Sequence, residues 1–97
     1  MEILKDCKIV FDVVASREWP REQPLWKFAD SMGAKCSNVL TNTVTHVVAN
    51  VPTTRRVKWA RKNNKFVVTP QWIVAANYFW KRQKEEDFPV IDGNYYQ

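Results

Sequence analysis

Three short runs of this chain are apolar almost without interruption, and they limit its fold more than any other feature. Lys8 to Val14 (KIVFDVV), Thr45 to Asn50 (THVVAN) and Phe66 to Thr69 (FVVT) are rich in β-branched and aromatic residues. A strand with one wet face alternates apolar and polar side chains, whereas these runs are apolar on both faces. Strands of that kind belong to a mainly parallel sheet covered by helices on each side. Lys35 to Ser37 reads as a further short strand.

The helices fall between these runs. Pro24 suits a first helical turn, and Leu25, Phe28, Ala29 and Met32 follow at i, i+3, i+4 and i+7 on one apolar face. Gly33 stops that helix. Asn38 to Thr43 reads as a loop. Pro52 breaks the chain, and Thr53 or Thr54 caps a second helix that runs to about Asn63. Val57 and Ala60 give this helix a narrow apolar stripe, and its other face is basic. Thr69-Pro70 starts a third helix, with Trp72, Ile73, Ala76, Phe79 and Trp80 on a wide apolar face. Lys81, Arg82 and Lys84 are expected in its last turn, at the negative end of its dipole. Glu85 to Val90 reads as an extended tail whose Phe88 docks back on the body. The order is β-α-β-β-α-β-α, and right-handed crossovers leave few topologies for it.

Length allows one domain and not two, at 97 residues. The expected division is a domain over 1–92 and a polar end over 93–97. With 45% hydrophobic residues and 5 Trp, the chain can bury a real core. Only 2 Gly leave no glycine-rich phosphate loop, and no apolar run approaches the ~18 residues of a membrane span. Cys7 and Cys36 have no CxxC spacing, so they read as buried thiols of a reducing compartment. His46 is the only histidine, and no suitable partners mark it as a metal ligand or catalytic base. It reads as a structural histidine bonded across the core. No cofactor, metal or small-molecule substrate is expected, and no catalytic constellation is present.

Charge is unevenly spread. The net charge is +5, yet the stretch from Ser31 to Lys84 contains no Asp or Glu and ten basic residues. The rest of the chain holds five basic residues against all ten acids, a net of −5. A polarised basic face suits an anionic partner, such as a phosphopeptide, an acidic peptide or a nucleic acid. A solvated lysine-rich surface gives the same composition without any partner.

With this order, the residues resemble the BRCT family. The matching pieces are the KIVF strand, Phe28-Ala29 with Gly33-Ala34, and Val44-Thr45-His46-Val47-Val48. Thr54-x-Arg56, Lys65-Phe66-Val67-Val68, Pro70-x-Trp72 and Asp87-Phe88 complete them. The resemblance implies an α/β fold: a four-stranded parallel sheet, with the first and third helices on one face and the second on the other. It makes Trp72 a core anchor, beside the structural role read above for His46. Within the family, the chain is most similar to the BRCT domain of the RNA polymerase II C-terminal-domain phosphatases, especially the plant ones. Leu4-Lys5-x-Cys7-Lys8-Ile9-Val10-Phe11, Pro24-Leu25-Trp26 and Thr54-x-Arg56-Val57-x-Trp59-Ala60 carry that likeness. The DxDxT-type motif of the phosphatase domain is absent, so catalysis is not expected of this chain.

The resemblance also points to a site. In phosphopeptide-binding members, a lysine two positions after a Thr contacts the phosphate, and Arg56 after Thr54 is the matching position. A helix N-terminus, a hydroxyl and a cation together bind phosphate, and Lys58 adds charge. The family's second contact is a Ser or Thr just after the first strand. Two registers are open here. One puts Asp12 at that position, where a carboxylate repels phosphate. The other puts Ser16 there, with Arg17 beside it, if the strand runs on through Val13 and Val14. Trp19 and Trp59 are candidate peptide or base contacts, or edge-of-core packing.

Three functions follow as expectations. The first is a phosphopeptide-recognition module of a nuclear protein, recruiting a polymerase C-terminal-domain phosphatase to its phosphorylated target. The second is binding of DNA ends through a 5′-phosphate. The third is a structural or dimerising domain that binds no phosphate, which Asp12 favours.

Overall fold

The computed structural model describes residues 2–13 and 23–91. Its elements are β1 (Lys8–Asp12), α1 (Gln23–Ser31), β2 (Lys35–Ser37), β3 (His46–Ala49), α2 (Arg55–Lys62), β4 (Phe66–Val68) and α3 (Pro70–Phe79). A 3-10 turn, Glu85–Asp87, follows. All strand pairs are parallel, in the order β2-β1-β3-β4. Ile9 lies opposite both Cys36 and His46, and Val47 opposite Val67.

The two faces of the sheet make two cores. Ile9 and Phe11 of β1 pack with Leu25 and Ala29 of α1 and Trp72, Ile73 and Ala76 of α3. Val10 points the other way and packs with Val47, Ala49, Val57 and Ala60 under α2. Helices α1 and α3 therefore share one face and α2 covers the other, as expected for strands apolar on both sides.

Local chemistry sets the element ends. Gly33 closes α1 at φ +92, and a Cβ there would stand 2.6 Å from the Glu2 Cβ, so only glycine fits. The Thr54 side chain accepts from the Val57 N–H at 3.3 Å, satisfying one free donor of α2. Pro70 opens α3, where a missing N–H costs nothing.

The structure corrects several expectations. Strand β1 ends at Asp12, with Val13 outside it, and Val14 lies outside the described residues. Phe28 is exposed, so α1 buries Leu25 and Ala29, with Met32 buried just past its end. Helix α3 ends at Phe79, because Trp80 takes a left-handed conformation at φ 52. The returning chain brings the Gln83 carbonyl to the Trp72 indole N–H at 2.9 Å, which a continuing helix would forbid. Phe79 and Trp80 are consequently exposed, and Lys81, Arg82 and Lys84 lie beyond the helix and outside its last turn. The tail is a 3-10 turn followed by a bridge between Val68 and Pro89. Phe88 packs half-buried on the α1/α3 core, and Thr69 N–H bonds its carbonyl at 3.0 Å. Cys36 is half-buried, since β2 is an edge strand.

Candidate phosphate-binding site

A parallel sheet puts the carboxyl ends of its strands at one edge, and the helix starts gather there. Here the end of β1 meets the start of α2. The Arg56 side chain reaches across this junction. Its Nη1 donates to the Phe11 carbonyl at 2.7 Å, and its Nη2 reaches the Asn38 carbonyl at 3.5 Å. These bonds fix the guanidinium at the strand end and use two of its five N–H donors. Thr54 stands at the N-cap with extended backbone. Its hydroxyl is engaged by the Val57 N–H but keeps its own proton to donate. Lys58 is exposed one turn on. The structure thus gathers Thr54, Arg56 and Lys58 on one short segment at the positive end of α2.

Asp12 is the last residue of β1 and shares the α2 face with Val10. Its Oδ2 is buried without a hydrogen-bond partner, and among the described residues it forms no ion pair. It directly follows Phe11, whose carbonyl takes the Arg56 guanidinium, so it stands on the same strand end as the candidate site. Since β1 stops at Asp12, the condition for the Ser16 register is not met within the described residues. Ser16, Arg17 and Trp19 lie outside them. Trp59 is half-buried against the α2 core.

His46 and Trp72 sit elsewhere, under the α1/α3 face. Both are completely buried, with ring centroids 4.6 Å apart and nearly parallel, and Phe66 stacks on the other side of His46 at 4.8 Å. His46 Nδ1 is 2.7 Å from the Thr45 hydroxyl, and Nε2 is 2.7 Å from a Glu85 carboxylate oxygen. Burial holds the imidazole pKa below its ordinary value of 6.5, against the pull of Glu85. The neutral ring accepts from Thr45 and donates to Glu85. Burial alone would raise the Glu85 pKa, but hydrogen bonds from Arg82 and His46 hold it below 4.5. The sequence offered no signal for Glu85 as the partner, 39 residues away.

Burial pushes the Cys7 thiol up, and burial with nearby Asp30 pushes Cys36 up to about 11. Both are neutral thiols at pH 7, unsuited to nucleophilic attack. Among the described residues, no group of three His, Cys, Asp or Glu could hold a metal ion, and no helix is long and apolar enough to cross a membrane.

Known proteins share this arrangement. The family model for the BRCA1 C Terminus (BRCT) domain matches residues 1–76. An Arabidopsis thaliana protein, RNA polymerase II C-terminal domain phosphatase-like 4, is 48% identical over 88 residues, 90% of this chain. The chain spans only 20% of that relative's length. Rad4 BRCT1,2, solved in complex with a phosphopeptide, superposes with a TM-score of 0.81 at 19% identity, over 94% of this chain and 48% of that one. The fission yeast RNA polymerase II CTD phosphatase Fcp1 superposes at 0.76 with 27% identity, over 92% of this chain and 25% of that one. The match to more than half of the chain, on a sheet of the same build, places this protein in the BRCT family, whose members are interaction modules that include phosphopeptide binders.

Proposed function

We propose that this domain reads a phosphorylated protein segment at the start of α2. In doing so it brings an RNA polymerase II C-terminal-domain phosphatase to its phosphorylated target in the nucleus. The observation that carries this reading is the Arg56 guanidinium, pinned at the end of β1 beside Thr54 and Lys58 with donors to spare. A phosphate seated there would accept from the free N–H groups of the first helical turn, the Thr54 hydroxyl and the guanidinium. Arginine offers paired donors where relatives of this type use lysine, so it grips two phosphate oxygens at once. The likeness to polymerase phosphatases supports the choice of target. Ser16 and Arg17 are further candidates for the same pocket.

A second reading, a structural or dimerising domain without a phosphate ligand, is favoured by Asp12, whose carboxylate opposes phosphate at this spot. Binding of a DNA 5′-phosphate at the same helix start is the third. One titration separates them. The labelled domain is followed by amide NMR against a phosphoserine peptide of the polymerase tail, its unphosphorylated twin and a 5′-phosphorylated duplex. Shifts at Thr54, Arg56 and Lys58 with the phosphopeptide alone are expected. Shifts with the duplex alone would replace this reading with the nucleic-acid one, and silence with all three would leave the structural one.

A further inference from the structure

At the other end of β1, cations crowd together without acids to match them. Lys8 and Lys35 are direct partners in the register of β1 and β2, so their side chains leave the same face of the sheet. Like charges placed side by side across strands repel. With Lys5, they line a cleft of about 350 Å³, whose other walls are Asp6, Cys7 and Thr43. None of the three lysines forms an ion pair among the described residues. The Lys8 ammonium donates to Thr43 Oγ1 at 2.9 Å and reaches Thr41 Oγ1 at 3.5 Å, so it is held in place at the rim. Lys65 braces the same loop from the other side, donating to the Asn42 carbonyl at 2.7 Å.

We infer that this cleft binds a phosphoryl group, as a second anion site at the opposite end of β1 from Arg56. Three lysines less Asp6 leave two positive charges at the cleft. A phosphomonoester carries about −1.5 to −2 at pH 7 and would balance them. Cys7 adds no opposing charge, being a neutral thiol. The Thr43 hydroxyl lies 2.9 Å from the Thr41 hydroxyl and can turn its own proton to the anion when Thr41 donates within that pair. Four residue steps along β1 take Lys8 to Asp12, roughly 13 Å at strand rise. Helices cover both faces of β1, so a peptide joining the two sites passes around the sheet and needs more than the roughly four extended residues of the straight span. The occupant is a second phosphorylated residue of the segment read at α2, more than about four positions from the first. This part rests on the reading proposed above, whereas the anion site itself does not.

The test uses the whole chain and three probes: inorganic phosphate, phosphorylated peptides and a phosphorylated duplex. Inorganic phosphate, followed by amide NMR, is expected to shift Lys8, Lys35 and Thr43, and the shifts are expected to vanish in Lys35→Gln. Lys35 is exposed, so this change leaves the core untouched. No phosphate shift at these amides, or shifts at α2 alone, would overturn the site. A doubly phosphorylated peptide is expected to bind about tenfold more tightly than either singly phosphorylated form, with the gain lost in Lys35→Gln and Lys5→Gln. Equal affinity of the two peptide types would overturn the peptide occupant, as would cleft shifts with phosphorylated duplex DNA but not with peptide. If Arg56→Gln leaves peptide affinity unchanged while Lys35→Gln lowers it, the cleft stands and the α2 reading falls.

Discussion

His46 and Asp12 are two polar side chains set into the same sheet, and the fold treats them in opposite ways. His46 opens β3 under α1 and α3, and both of its ring nitrogens have partners at 2.7 Å. Asp12 ends β1 on the α2 face, with one carboxylate oxygen buried and unanswered. Buried polar groups are normally satisfied, because an unmade hydrogen bond costs about 1–3 kcal/mol. The first residue therefore belongs to the machinery that holds the fold. The second is tolerated at the strand end, next to the helix start where an anion is expected to bind. The contrast sets a satisfied interior group at the start of β3 against an unsatisfied one at the end of β1, where the candidate phosphate site lies.

The largest expected effect tests the stability half. His46→Ala removes the stack on Trp72 and Phe66, leaves a cavity in the core and takes one hydrogen bond each from Glu85 and Thr45, and it should cost about 3 kcal/mol in urea unfolding. A loss below about 1 kcal/mol would mean that the network contributes little. Acid should act on the same cluster. The His46 pKa is lower folded than unfolded, so its share of stability is full above about 6.5 and falls as pH drops below that value. Glu85 is also depressed, so its share is full above 4.5 and is lost as pH falls through its folded value. Urea midpoints should therefore decline in two stages on acidification, and Glu85→Gln should remove the lower stage.

The recognition half gives smaller numbers. Arg56→Gln should weaken phosphopeptide binding by roughly 30-fold, about 2 kcal/mol, with Arg56→Lys in between. Calorimetry that finds no change would remove Arg56 from the site. Asp12→Asn should tighten phosphopeptide binding up to about tenfold, or 1.4 kcal/mol, with urea stability equal or slightly higher. Weaker binding in Asp12→Asn would sharpen the comparison differently, by making Asp12 a positioning group for Arg56 or for the peptide.

Much of the architecture was legible because it rests on local rules. Continuous apolar strands gave the parallel sheet with both faces covered, Thr54 and Pro70 marked two helix starts, and Gly33 marked a helix end. Periodicity misled where the chain turned. Trp80 continues the apolar stripe of α3 on paper, but its left-handed conformation ends the helix at Phe79, which is itself exposed. The same weakness affected β1, where Val13 extended the apolar pattern past the strand end at Asp12. The contacts of the candidate site were illegible for another reason. Arg56 meets the Phe11 carbonyl 45 residues away, and His46 meets Glu85 39 residues away, through tertiary geometry that no local pattern encodes.

The edges of the sheet carry one more consequence. Both outer strands, β2 and β4, are only three residues long, and Pro89, which has no N–H, lies against the end of β4. Short edges and a proline there are poor templates for another chain to add itself as a strand. A visiting segment therefore finds no backbone ladder to join, and must be told apart by its charges and its shape. Such a domain would exchange partners quickly and, when crowded along one repetitive target, would not zip its copies into a continuous sheet.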